Sequence, residues 1–422
     1  MTKNNKWSAT GAATEKKRTD IAPVPKIALG NATASPVIWF QIDIQIPAVP
    51  TMPPKKQATV TESRNDVDDI RTGVESGGCH EQRNKTIIPG GDLMALQRRA
   101  SVIEPIDDCP DVFDFPRDIQ PILDRHCVDC HGYEKTNRGG PYAGNVILTG
   151  DRGPMFSHSY VTMTVRELFV DGRDKPESNY APRTIGSSAS RILTMLDGDH
   201  YDVKATDHEK KMLRLWIEVG APYPGTYAAL GCGSIGGYAQ NKLVNVDSDW
   251  PTTKAGAEVI ERRCAGCHTG EDNLPRSMSD EIGISFWRFD IHDPRLQFSR
   301  HLMFNLTRPQ KSLIALGPLS KSAGGLGLCR NPQGNPVQVF TDTTDPDYAT
   351  LVAMAAAGKQ NLDEIKRFDM PGFRPRPQYV REMIDYGILP PGTAAASVSA
   401  PYEVDRRYWE SLWHCPADES TP

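Results

Sequence analysis

The stretch FPRDIQPILDRHCVDCHG, residues 115–132, decides how the chain is read. Ile119, Ile122 and Leu123 recur at helical spacing, and Asp118 is placed to cap the short helix they predict. That helix runs directly into Cys127-x-x-Cys130-His131. A second copy follows at AGAEVIERRCAGCHT, where Cys264, Cys267 and His268 repeat the pattern 137 residues later. The same offset lays Ile122 and Leu123 on Val259 and Ile260, so the helix before the motif is repeated as well.

Two thiols on one helical turn reach the two vinyl groups of a porphyrin, and a histidine immediately after them ligates the iron from the same side. Cys-x-x-Cys-His is therefore the attachment pattern of c-type haem, and its occurrence twice predicts two covalently bound haems. A four-thiolate zinc ribbon and a redox disulfide are the competing readings. The ribbon normally separates its cysteine pairs by about 15–20 residues, and no strand-to-helix unit of thioredoxin type precedes either pair.

A further correspondence closes each unit. TDHEKKMLRLWIEVGAPYP predicts a helix with a capping box of Thr206 and Glu209, an apolar stripe of Met212, Leu215, Trp216 and Val219, and a stop at Gly220. PQYVREMIDYGILPP predicts its counterpart, with Pro377 in the first turn, Val380, Met383 and Ile384 on one face, and Gly387 as the stop. The offset here is 167, so the second unit holds about 30 more residues than the first, assigned to the Gly- and Pro-rich loop 317–347.

The closing helix also points to sixth ligands. Met370, in RFDMPGF, lies 17 residues before Gly387, and His200 lies 20 before Gly220; these are the candidates for the second and first iron. His158 and Met195 compete at the first, His301 and Met303 at the second, and an open position is the remaining option. Phe113, Phe115, Trp216, Tyr223, Phe286, Trp287 and Tyr379 could wall the porphyrins, and Arg183, Arg191, Arg300 and Arg308 could pair with propionates. Cys79, Cys109, Cys232, Cys329 and Cys415 fall in no pattern, and the glycines of GCGSIGGY, residues 231–238, read as a linker because no phosphate-loop Lys-Ser/Thr follows them.

The expected fold class is mainly α: two tandem cytochrome c-like helical domains with long loops, 105–228 and 249–395, joined by a linker at 229–248. Residues 1–104 read as disordered or misassigned, and 396–422 as a C-terminal tail. With 422 residues, 38% hydrophobic and 24% charged, and a net charge of -5, the chain has no basic surplus for nucleic acid. Its longest apolar run, 37–49, is broken by Asp43 and is too short to span a bilayer.

The phrases FPRDIQPILDRHCVDCHG, SASRILTMLDGDHYDVKATDHEKKMLRLWIEVGAPYPG, FNLTRPQKSLIALGPL and FDMPGFRPRPQYVREM resemble the two-haem C-terminal part of the hydrazine synthase alpha-subunit family, over roughly residues 110–392. The resemblance implies a di-haem module of mostly helical domains. One ligand arrangement of that family, a tyrosine on the iron with the motif histidine turned to zinc, is not reproduced, since Tyr133 stands only two residues past His131. The function expected is that of a periplasmic di-haem cytochrome c transferring electrons between redox partner proteins. The alternative is a haem enzyme subunit, resembling the hydrazine synthase alpha subunit, acting on a small nitrogen or oxygen species at an open first iron. Export is expected because haem of this type is attached outside the cytoplasm, although residues 1–20 hold no apolar signal core.

Overall fold

The computed structural model describes residues 106–172, 180–229, 247–284 and 290–412. The segment 1–104 and most of the expected linker therefore lie outside the described residues. Within them the chain is mainly helical, with no strand and only isolated bridges such as Arg152 with Ser157.

A π-helical turn, Phe115–Ile119, leads into α1, Gln120–His126. The cap is Asp114 rather than Asp118: the Asp114 carboxylate accepts the Arg117 amide at 3.2 Å, and Asp118 accepts the Asp114 amide in return at 2.7 Å. Pro116, whose fixed φ suits a first turn, starts the helix earlier than the apolar spacing indicated. After α2, His158–Val165, and α3, Arg191–Met195, comes α4, Asp207–Glu218, whose Thr206–Glu209 capping box forms as expected. Its buried face is Met212, Leu213, Trp216 and Ile217; Val219, placed on the apolar stripe by spacing, is half exposed. Trp216 sits among Phe115, Tyr160 and Phe169 with ring centroids 4.9–6.4 Å apart, and its indole N–H donates to the Pro222 carbonyl at 2.9 Å. Rings of this size stabilise a core by roughly 2–3 kcal/mol each when fully buried.

The second apolar core forms where α5, Pro251–Arg263, crosses a long helix later in the chain. Short helices α6, Arg300–Met303, and α7, Leu313–Leu316, precede that partner, α8, Pro346–Ile365. No helix was expected at α8, yet Asp345 caps it, Pro346 begins it and the run AMAAA fills it with strong helix formers. The surplus of the second unit is thus a loop followed by a core helix. The crossing is tight: a Cβ on Gly256 of α5 would lie 2.5 Å from the Met354 sulfur of α8.

The predicted counterpart of α4 is α9, Pro377–Asp385. The two helices stop alike. Gly220 and Gly387 both take positive φ, and the residue after each donates back to Trp216 and Met383 respectively, at 2.9 and 2.8 Å. Their packing differs, because α4 belongs to the first core whereas α9 joins a small third cluster with α10, Pro401–Ser411, a helix inside the stretch read as a tail. Asp405 of α10 accepts from the Thr226 hydroxyl at 2.5 Å and from Tyr379 at 2.6 Å, and Tyr402 donates to Asp114 at 2.6 Å.

The cores also do not divide at the expected domain boundary. Tyr133 and Ile147 lie in the second core, and Phe368 packs against the first.

Replacing Gly256 with Val should lower stability by about 1–3 kcal/mol in chemical denaturation, because the α5–α8 crossing has no room for the added carbons. Gly266→Ala, where a Cβ meets nothing within 4 Å, serves as the near-neutral control.

Candidate haem sites and the seam between them

The two motifs fold as the same turn. Each leaves the end of its helix with a cysteine near φ -120° (Cys127 -120°, Cys264 -119°). In the first, the amides of Cys127 and Val128 bond Leu123 at 2.8 and 3.1 Å, and those of Cys130 and His131 bond Cys127 at 3.1 and 2.9 Å. In the second, Cys264 and Ala265 bond Ile260 at 2.9 and 3.1 Å, and Cys267 and His268 bond Cys264 at 3.0 and 2.9 Å. Residues at i, i+3 and i+4 of such a turn share a side, which is what attachment at two thiols with iron ligation alongside demands. After the first motif the chain folds back onto Cys130, whose thiol donates to the Arg138 carbonyl at 3.2 Å.

Both motif histidines are held by the same bond. His131 Nδ1 lies 2.9 Å from the Ala143 carbonyl oxygen, and His268 Nδ1 lies 2.9 Å from that of Asp272. A carbonyl only accepts, so Nδ1 carries the proton and Nε2 keeps its lone pair, the usual state of a metal-ligating imidazole. Burial disfavours the imidazolium of His131; the Ala143 bond partly offsets this and nearby His200 adds to it.

The structure brings His200 to His131. Their ring centroids are 5.8 Å apart with planes 20° from parallel. The two rings form an offset stacked pair, so a second imidazole lies beside the motif histidine. His200 sits in a turn closed by the Asp197–Lys204 bridge, beside Tyr201, which is 86% exposed. Two thiols, one imidazole with a fixed tautomer and a second imidazole beside it are donor groups of the kind a covalently attached haem requires. No family model, curated protein or solved structure matches the chain.

At the second site, among the described residues, the ring of Phe298 meets that of His268 with centroids 5.3 Å apart. Met370 is half-buried against the second core, its amide donating to the Arg367 carbonyl at 3.0 Å. The other ligands considered are placed as follows. His158 has both nitrogens engaged within the protein, Met195 packs on the first core and Met303 lies in the second. His301 is buried with no partner on Nδ1; burial and the cations of Arg300 and Arg367 hold it neutral.

Burial pushes the Cys127 thiol up to about 12 and Cys264 to about 11. Cys127 packs on the first core and Cys264 lies in the second, and among the described residues no three Cys, His, Asp or Glu side chains form a metal-ion cluster. Cys329 lies near enough to the second motif to disfavour ionisation of Cys264, and Cys109 packs on the first core. Cys79, Cys232, Cys415, Phe286 and Trp287 are outside the described residues. Phe113, Phe115, Trp216 and Tyr223 are members of the first core, and Tyr379 packs on the third cluster. Of the arginines, Arg300 is bonded to Glu281 and Arg308 to Asp151, while Arg183 and Arg191 are exposed.

Between the motifs runs a polar seam that no motif spacing announces. Asp151 accepts from Asn305 at 2.6 Å and from Arg308 at 2.7 Å. Arg308 lies over the Tyr133 ring, 5.1 Å from its centroid, and Lys311 pairs with Glu134 at 2.8 Å. Buried Arg367 grips Asp369 through two bonds of 2.8 Å and donates to Gly153 at 2.9 Å. Buried charges left unpaired would cost several kcal/mol, and here each is matched.

Glu209 ties α4 to the first motif, accepting from Arg125 at 2.8 Å, with His126 Nε2 at 3.1 Å and the Thr206 amide at 2.8 Å. Burial raises its carboxyl, but the Thr206 amide, His126, the Thr206 hydroxyl and Arg125 together outweigh burial and hold it at about 2. The folded value lies below the ordinary 4.5, so the stabilisation is complete above pH 4.5 and is lost as pH falls towards 2. Glu209→Gln should cost about 1–3 kcal/mol at pH 7 and flatten the fall in stability across that window, read by urea denaturation at successive pH values.

Proposed function

We propose that the chain is an exported di-haem c-type cytochrome that passes electrons between redox partner proteins. The observation that carries this reading is that two independent Cys-x-x-Cys-His turns take the same backbone form and present their histidines through the same Nδ1–H bond to a carbonyl. Haem bound at these turns supplies a one-electron iron couple. Cys127 and Cys130 would hold the first porphyrin, and Cys264 and Cys267 the second. His131 and His268 would offer an unprotonated Nε2 to the iron, and the carbonyls of Ala143 and Asp272 keep the rings from turning. His200 would close the first site, and Met370 is the candidate to close the second. A thioether ligand favours the reduced metal relative to a second imidazole, which would set electron flow from the first site to the second.

The enzyme reading was expected at the first iron; among the described residues it attaches better to the second site, where the ring beside His268 is Phe298 and not an imidazole. Carbon monoxide binding to the reduced protein separates the two: a carrier with both irons closed takes up none without ligand displacement, and an open second iron takes up one equivalent.

Expression in an exporting host able to attach haem should yield a protein whose intact mass exceeds the polypeptide by two haems, with a pyridine haemochrome spectrum counting two thioether-linked porphyrins. A colourless product of unmodified mass rejects the proposal. His200→Ala should leave both haems attached and convert the first from low-spin to high-spin, open to carbon monoxide. A low-spin first haem in that variant would remove His200 from the ligand set.

A further inference from the structure

Tyr133 follows the first motif by two residues, yet its ring is buried in the second core. Its hydroxyl lies 2.7 Å from His158 Nδ1. His158 is fully buried, and its Nε2 lies 3.0 Å from the Phe304 carbonyl oxygen. That carbonyl assigns the tautomer: Nε2 carries the proton, Nδ1 accepts, and the Tyr133 hydroxyl is the donor. Burial holds the imidazole neutral even though the charge of Asp151 works in the opposite direction.

The pair joins the segment that carries His131 to a segment whose Phe298 ring touches His268. On one side, Tyr133 is separated from His131 only by Gly132. On the other, Phe304 is fully buried in the second core at the end of α6, and the turn before α6 carries Phe298, whose ring meets that of His268. From His131 to His268 the route consists of covalent bonds, including the backbone between Phe304 and Phe298, hydrogen bonds of 2.7 and 3.0 Å, and one ring contact. Electron tunnelling falls off more slowly along bonds and hydrogen bonds than across van der Waals gaps. Asp151, Asn305 and Arg308 beside Tyr133 are paired within the seam, whereas His301, buried on the Phe298–Phe304 segment, has no partner on Nδ1.

We propose that the Tyr133–His158 pair is the electronic bridge between the two haem sites, with Phe304 and Phe298 as its continuation to the second. The proposal rests on the di-haem reading above. Tyr133 and His158 stay closed-shell on this route; no electron resides on them and no proton leaves the pair.

The test uses the two-haem holoprotein, with flash-photolytic electron injection and the equilibration rate between the haems as readout, alongside both reduction potentials. Tyr133→Phe, which deletes the hydroxyl alone, should slow equilibration about tenfold while the potentials stay in place. His158→Gln can still accept from Tyr133 and donate to Phe304, and should keep the rate within about threefold of the native protein. Nitrogen-15 resonances of His158 in the reduced protein should show Nδ1 unprotonated and hydrogen-bonded, and should shift on Tyr133→Phe. Phe298→Leu, which leaves the buried pair untouched, should also slow the transfer and serves if Tyr133→Phe does not fold. A native rate in Tyr133→Phe or in Phe298→Leu, with two haems counted by mass, overturns the bridge and leaves the di-haem reading standing. Fewer than two haems on the native chain overturns both.

Discussion

One hydrogen bond, repeated, carries the architecture of the candidate sites: the Nδ1–H of each motif histidine on a main-chain carbonyl. An imidazole on a helix-end turn can rotate about its side-chain torsions, and freezing it costs conformational entropy. The Ala143 and Asp272 carbonyls meet that cost within the protein and at the same time choose the tautomer. In both units the acceptor comes from the segment just after the motif, 12 residues on in the first and four in the second. The turn and the loop that follows it are therefore one functional unit.

That unit is held by what lies beneath it. The first motif is seated on an aromatic core around Trp216 and locked from outside by Glu209, which serves both as helix cap and as partner to Arg125 and His126. The second is seated on the α5–α8 crossing, whose closeness depends on Gly256. Each motif turn meets the same backbone requirement on a different foundation. A helix-end turn is specified locally, whereas any apolar surface of suitable shape can support it.

The seam makes the two foundations one body. Tyr133 and Ile147 leave the first unit for the second core, Phe368 returns the contact from the other side, and the Asp151 and Asp369 carboxylates are each gripped by arginine. Buried pairs of this kind contribute little net stability over apolar packing, but a misplaced one is expensive. The seam thereby restricts how the two motifs can be arranged, which matters for a protein that would move electrons between them.

Local spacing was enough to reveal the two motif turns, the capping box of α4 and the glycine stops of α4 and α9, because each is written in residues fewer than six apart. It failed where a distant contact decides. Asp114 displaced Asp118 as the cap once Pro116 set the first turn. Val219 left the buried face, and α10 emerged from an expected tail because Asp405 and Tyr402 find partners more than 170 residues away. The helix α8 had a readable signal in its Asp-Pro start and alanine run, but nothing local said that it, rather than α9, would face α5. Residue order alone placed the two Cys-x-x-Cys-His patterns and the helix ends that carry them. The tertiary structure alone decided that His200 faces His131, and that Tyr133, next to one motif, belongs to the core of the other. Such pairings arise from burial and hydrogen bonding between segments far apart along the chain, and no short-range periodicity encodes them.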